Sequence, residues 1–230
     1  MRQTTALRPA ALAVHAALAA LLCSALAQAA PASTAKPLDI DAAITAYAEG
    51  QPALAAQAFA RLARQGDALA QYNLAMMHLR GELPRASVRE AKRLLERAAA
   101  GKLIRAELAL AQFHEQGLSG RVDSAAAMRW YRLAAEHGSA DAQLALGTAH
   151  YLGRGAALDM SEAAHWYREA AKAGDVGAQY LIASMYESGL GVSQDLRLAR
   201  YWYDIAARNG DEAAPFKRQE LDAKLTPADT

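Results

Sequence analysis

The stretch Trp166-Tyr167-Arg168-Glu169-Ala170-Ala171-Lys172-Ala173-Gly174-Asp175-Val176-Gly177-Ala178-Gln179-Tyr180 decides how the chain is read. Shifted back by 36 residues it becomes Trp130-Tyr131-Arg132-Leu133-Ala134-Ala135, then Gly138-Ser139-Ala140-Asp141-Ala142-Gln143. Shifted forward by 36 it becomes Trp202-Tyr203-Asp204-Ile205-Ala206-Ala207, then Gly210-Asp211. The agreement is column by column. Ala70, Ala106, Ala142, Ala178 and Ala214 share one column, with Gln71, Glu107, Gln143 and Gln179 beside it. Leu74, Leu110, Leu146 and Ile182 form another, followed by Ala75, Ala111, Gly147 and Ala183. Gly81, Gly117, Gly153 and Gly189 punctuate each unit. Ala91, Ala127, Ala163 and Ala199 precede Leu94, Trp130, Trp166 and Trp202, and the pairs Ala98-Ala99, Ala134-Ala135, Ala170-Ala171 and Ala206-Ala207 close the unit. A fixed period of this length marks an array of one supersecondary unit, and the first copy, with Leu94-Leu95 for Trp-Tyr, is the most degenerate.

These columns, the string from Ala163 to Ala183 and the loop Gly189-Leu190-Gly191-Val192-Ser193-Gln194-Asp195 resemble the Sel1-like repeat family, a relative of the tetratricopeptide repeats, over about residues 53–214. The resemblance implies an all-α fold: a right-handed α/α solenoid of stacked helical hairpins, with an N-terminal capping hairpin and a C-terminal capping helix. It also implies a protein-binding scaffold and no particular reaction. The β-lactam chemistry linked to cysteine-rich members does not carry over, because their paired cysteines are absent.

Helical spacing places the elements. Asp39 to Glu49 and Pro52 to about Gln65 form a hairpin on the same grid without the full motif, so 39–66 reads as the cap, since terminal repeats are atypical. Four units fill 67–210. Their A helices are expected at about 67–79, 103–115, 139–151 and 175–187, and their B helices at about 87–100, 124–137, 160–173 and 196–209. Ser87 with Glu90 and Asp159 with Glu162 read as capping boxes, Asp123 and Asp195 as plain N-caps. Gly138, Gly174 and Gly210 end B helices in the left-handed slot. Lys102 breaks that column, with Gly101 expected to take over one residue early. Beyond it, 211–230 reads as a capping helix carrying Phe216, Leu221 and Leu225 on its apolar face, then a polar tail.

The N-terminus carries an address. Arg2 and Arg8 precede an apolar run from Ala10 to Leu22, too short for a membrane span of about 20 residues. Small residues at Ala25, Ala27 and Ala29 suit signal peptidase, so 1–29 reads as a signal peptide cleaved after Ala27 or Ala29, and 30–38 as a linker. An uncleaved anchor and an unstructured alanine-rich tail are the alternatives. The expected location is periplasmic or secreted, without stable membrane insertion after cleavage. Cys23, the single cysteine, leaves with the signal, so no disulfide or cysteine-metal site is expected. The 25 Lys and Arg against 24 Asp and Glu show no basic stripe, which argues against nucleic acid.

The repeated residues have structural explanations. Alanine pairs let helices approach to about 8–10 Å, and Trp130, Trp166 and Trp202 suit the space between layers. His78, His114 and His150, one period apart, suggest a metal ladder. Ligand nitrogens lie about 2 Å from a zinc ion, whereas equivalent helices stand roughly 10 Å apart. The reading is therefore a histidine replacing a half-buried tyrosine, as at Tyr186, with no metal and no cofactor. No phosphate loop or nucleophile elbow occurs, and the scattered acidic residues read as solvated.

Helix geometry places 70, 71, 74, 75, 77 and 78 on one face and 69, 73, 76 and 80 on the other, and the second set varies between units. Those positions are expected to line the concave surface and hold a protein or peptide. The partner-binding candidates are Asn73, Met76, Arg80, Arg105, Gln112, Gln116, Asp141, Thr148, Ser184 and Ser188. The chain reads as exported and monomeric, and the resemblance implies a non-enzymatic adaptor serving an envelope process. A cell-wall-acting enzyme or inhibitor, and a cytoplasmic scaffold whose N-terminus only imitates a signal, are the rivals.

Overall fold

The computed structural model describes residues 38–225; the signal region, its cleavage sites, Cys23, nearly all of the linker and the tail beyond Leu225 lie outside them. Among the described residues there are eleven α-helices and no strand. Helices α1 (Ile40–Ala48) and α2 (Pro52–Arg64) form the first hairpin. Four hairpins follow: α3 (Ala68–Leu79) with α4 (Val88–Ala100), α5 (Ile104–Glu115) with α6 (Ser124–Glu136), α7 (Ala140–Leu152) with α8 (Met160–Lys172), and α9 (Val176–Ser188) with α10 (Leu196–Arg208). A single helix, α11 (Ala214–Lys224), ends the described chain. Helices of the four units begin and end within one residue of the bounds that spacing predicts. Each helix packs chiefly on the helix before and the helix after it. The architecture is an all-α helical repeat solenoid.

Side-chain caps set the starts. Asp67, Ser139 and Asp175 accept the backbone N–H groups of Ala70, Ala142 and Ala178 at 2.7, 3.3 and 2.7 Å, at the start of three A helices. Asp123, Asp159 and Asp195 do the same for B helices. These oxygens satisfy donors that the first helical turn leaves without a partner. The capping boxes are only half made. Ser87 accepts from Glu90 N–H at 3.3 Å, but the Glu90 carboxylate holds Arg93 instead of reaching back. The Ser87 N–H donates to His78 Nδ1 at 3.2 Å, and the Asp159 N–H to the His150 carbonyl at 3.0 Å. Those donors already have partners, so no return bond forms.

The Gln column ties successive elements. Gln71, Gln143 and Gln179 are buried, and their amides donate to the carbonyls of Ala63, Ala135 and Ala171 at 3.1, 3.0 and 3.2 Å. Glu107 occupies the same column on the packed face and is 1% exposed. A carboxylate cannot donate to a carbonyl, so Glu107 turns both oxygens to His137 Nδ1, at 2.9 Å each.

The end of α4 corrects another expectation. Lys102, with φ +61°, holds the left-handed slot that Gly138, Gly174 and Gly210 fill elsewhere at +94°, +99° and +100°. Gly101 has φ −77° and does not take the slot over. The period of the array fixes the turn whatever residue sits there. Gly101 serves close approach instead: a Cβ on it would lie 3.0 Å from the Ala68 Cβ and 3.2 Å from the Ala98 carbonyl oxygen.

The alanine columns lie in the core, with Ala98, Ala134, Ala170 and Ala206 fully buried. Trp166 and Trp202 are buried, whereas Trp130 is only partly so. By register α11 is the A helix of a fifth unit, since Ala214 continues the Ala178 column. It buries Ala214 and Leu221. Phe216 does not join them and is 70% exposed. It continues the Tyr180 column, and Tyr180 packs edge-on against Tyr203 of its own B helix at 5.1 Å. No B helix follows α11 among the described residues, so Phe216 has nothing to pack on.

Candidate functional site

The A-helix face is the first candidate. The variable positions are all exposed or partly buried in every unit, while the repeated positions opposite them are almost all buried. Arg80, Arg105, Gln112, Gln116, Asp141 and Ser188 are exposed, and Asn73, Met76, Thr148 and Ser184 partly buried. Three of the ten are brought together. Asn73, Met76 and Arg80 line a pocket of about 50 Å³ with Tyr47 and Phe59 of the first hairpin. There Arg80 Nη1 donates to the Tyr47 hydroxyl at 3.0 Å, and Tyr47 donates to Glu82 at 2.9 Å. Thr148 accepts from the Tyr167 hydroxyl at 3.2 Å, and the Ser188 hydroxyl donates to the Ser184 carbonyl at 2.8 Å. Of the rest, Arg105, Gln112 and Gln116 lie along α5 and its C-terminal end, and Asp141 stands one unit after Arg105.

The histidine column braces loops. His78 accepts from Ser87, and His150 Nδ1 donates to the Ala157 carbonyl at 3.1 Å. Burial lowers the pKa of both His78 and His114, which favours the neutral ring. Among the described residues no group of three His, Cys, Asp or Glu is placed to hold a metal ion.

The second candidate is one that spacing alone did not single out. Where each A helix ends against its own B helix and the next A helix, a pocket position recurs. The next A helix contributes Met77, Phe113, Ala149, Met185 and Leu221 at the successive boundaries. Four of these are at most 2% exposed. Ala149 is the exception: it is too small to fill its position. A pocket of about 140 Å³ opens there, lined by Glu115, Ser124, Met128, Tyr131, Ala149 and Arg154 among others. One unit earlier Phe113 fills the floor, and the space above it is an open trough lined by Val88, Lys92 and Leu118.

Tyr131 donates to Glu115 Oε2 at 2.6 Å inside this pocket. Burial, and then the Glu115 carboxylate beside it, push the Tyr131 hydroxyl well above the usual phenol range. Tyr131 therefore stays a donor at any physiological pH and fixes one carboxylate oxygen. The same pair recurs as Tyr203 and Glu187, at 2.9 Å, with the same upward shift on Tyr203. There Lys217 and Lys224 of α11 lie 3.7 and 3.8 Å from Glu187 Oε1. Among the described residues no cation pairs with Glu115. In the intervening unit Tyr151 replaces the glutamate, and Tyr167 turns to Thr148. The signal that could have revealed the site was a column in plain view, Leu79, Glu115, Tyr151, Glu187, read beside Ala149.

Comparison with known proteins bears on the family and the fold. The "Sel1 repeat" family model matches residues 68–102, 104–139, 140–175 and 176–211. A solved Sel1 repeat protein from Oxalobacter formigenes is 33% identical, with TM-score 0.68, over 73% of this chain and 49% of its own. A protective antigen of uropathogenic Escherichia coli with an SLR fold is 24% identical, with TM-score 0.47, over 83% and 50%. A putative Sel1 repeat protein from Klebsiella pneumoniae is 22% identical, with TM-score 0.48, over 80% and 91%. The chain thus spans about half the length of the first two structures. No curated protein matches it.

Proposed function

Because the chain belongs to the Sel1 repeat family, we propose that it is an exported, non-enzymatic scaffold that holds a protein or peptide on its A-helix face and serves an envelope process. Repeats of this family typically act as protein-interaction scaffolds. One observation carries the reading: the A-helix positions that vary from unit to unit are exposed or partly buried in all four units. Freedom from packing at repeated positions leaves a strip whose chemistry can match a partner, and solenoids use such extended surfaces for binding.

The strip is mixed, with cationic Arg80 and Arg105 towards its N-terminal end, which suits a partner with an acidic element there. Arg80 is held by Tyr47 beside Glu82, which orients its guanidinium at low entropic cost. The non-enzymatic reading draws on the hydroxyls. Thr148 and Ser188 bond to a tyrosine and to their own helix rather than to a base, so neither is an activated nucleophile. Export is supported by the basic start, the short apolar run and the small residues at Ala25, Ala27 and Ala29.

Affinity capture from envelope extracts with the chain from residue 30 onward tests this. Retention of one protein at stoichiometric level, lost when Arg80→Glu, Arg105→Glu and Gln112→Ala are combined, is the expected result. Equal retention by the folded triple variant would remove the A-helix face from consideration. Intact-mass analysis of the exported protein tests the address, since a mature chain must lack residues 1–27 or 1–29.

A further inference from the structure

We propose that the pocket between the second and third repeats receives a lysine side chain of the bound partner, its ammonium facing Glu115, as Lys217 and Lys224 of α11 face Glu187. The inference rests on the scaffold reading and names the chemistry recognised at one point of it.

The molecule supplies its own comparison. Glu115 and Tyr131 stand 72 residues before Glu187 and Tyr203, in the same two columns. In both pairs the tyrosine hydroxyl donates to one carboxylate oxygen, Oε2. At the later boundary the other oxygen, Oε1, faces two ammonium groups within 4 Å, of which Lys217 also donates to Glu220 of its own helix at 3.1 Å. Both lysines come from α11, the helix in register with α7. Position by position, Lys217 answers to Ala145, Leu221 to Ala149 and Lys224 to Leu152. At the earlier boundary each cation is thus replaced by an alanine or leucine, and the filling leucine by an alanine. The acceptor is retained, the donors are lost, and a cavity opens between them.

The dimensions suit one side chain. An apolar cavity of about 150 Å³ holds a benzene-sized group, whereas drug-sized ligands occupy roughly 300–1,000 Å³. At about 140 Å³ the pocket takes a four-carbon stem and an ammonium group. Its walls match both parts. Ala127, Met128, Ala145 and Ala149 are apolar along the stem, and Glu115 and Tyr131 offer oxygens to the tip. Methionine adapts to a flexible stem. Arg154 is the one other charged group on the wall, and it is exposed in the loop after α7. It forms no ion pair with Glu115, but a second positive charge on the same wall opposes an incoming ammonium, which makes occupancy salt-sensitive and sets a clear direction for its removal.

The test follows the Met128 methyl signal by NMR while titrating acetyl-lysine amide, with acetyl-norleucine amide as the uncharged control. Saturable shifts with the lysine probe at roughly millimolar concentration, and none with norleucine, are expected. Glu115→Gln keeps the tyrosine bond and removes the charge, so binding weakens by about tenfold or more. Ala149→Met, which restores the side chain found at Met77 and Met185, blocks entry. Arg154→Ala tightens binding. Equal shifts with both probes, or binding that survives Glu115→Gln and falls with Arg154→Ala, would overturn the proposal; the second result would mean that the pocket takes an anion. A silent Met128 signal while the partner is still captured sinks this inference alone. A responsive pocket with no partner captured sinks the scaffold reading and leaves the pocket standing.

Discussion

Two boundaries of the array are built on the same Glu–Tyr pair and are finished differently. Between the second and third repeats, Glu115 and Tyr131 face a pocket floored by Ala149. Between the fourth repeat and α11, Glu187 and Tyr203 lie under Leu221, Lys217 and Lys224. Ala127 and Ala134 at the first, and Ala199 and Ala206 at the second, are all at most 3% exposed, so these alanine columns do not distinguish them. On the following helix the difference lies in three positions of one face, and on the B helix Ser124 and Met128 stand where the closed boundary has Leu196 and Arg200. A solenoid can therefore keep its columns and change its chemistry wherever the next helix presents a smaller or uncharged side chain.

The closed boundary is the more fragile to truncation. Leu221 is fully buried and is the one large apolar side chain that α11 buries. Leu221→Ala is expected to cost about 2–4 kcal/mol locally and to release α11. Hydrogen exchange would show this as lost protection confined to 214–224, and unchanged protection there would mean that the ion pairs alone hold the helix. The intervening boundary sharpens the point. Gly147 breaks an alanine column because a Cβ there would lie 2.5 Å from Cδ1 of Tyr167. Gly147→Ala is expected to destabilise by about 1–3 kcal/mol in urea unfolding, through displacement of the Tyr167 ring. A neutral result would show that the ring has room to turn.

The open boundary responds in the opposite sense. Ala149→Met fills a pocket that four other boundaries fill with larger side chains, and a gain of about 1 kcal/mol is expected. A loss would show that the pocket's shape is matched to something other than a methionine. Lys102→Gly, at the junction before the second repeat, removes a left-handed lysine and is expected to add about 1 kcal/mol. The smallest effect belongs to the charges of the closed boundary. Glu187→Gln is expected to cost about 0.5–1 kcal/mol at low salt and nearly nothing at high salt, because both lysines are partly exposed. Glu115→Gln, whose carboxylate has no cation paired to it among the described residues, is expected to leave stability unchanged, and the contrast between the two substitutions measures what α11 contributes.

Much of this protein is legible along the chain, because one 36-residue period repeats every constraint several times. Helix bounds, the Asp123 and Asp195 caps and the buried alanine columns all follow from aligned positions. What a column does not carry is the partner that each residue meets. Lys102 was expected to yield its turn to Gly101, but the turn belongs to the position. Glu107 shares the inward Gln column, but which group meets it there, His137, is not written in the column. Phe216 was placed on an apolar face, but the B helix that would cover it does not follow among the described residues.

The candidate site divides in the same way. Which A-helix positions escape packing was decided by the 3.6-residue turn, so Arg80, Gln112 and Ser188 could be placed on the free face from spacing alone. That Arg80 rests on Tyr47, and that Thr148 is held by Tyr167, depends on side chains from other helices. The sequence by itself determined the unit, its period and the fold, because secondary structure and stacking are local and repeated. Only the tertiary structure decided that Glu115 looks into a pocket and Glu187 at two lysines. That outcome is set by the helix of the following unit, about 30 residues further along the chain, and a column shows what each position holds but not what stands across from it.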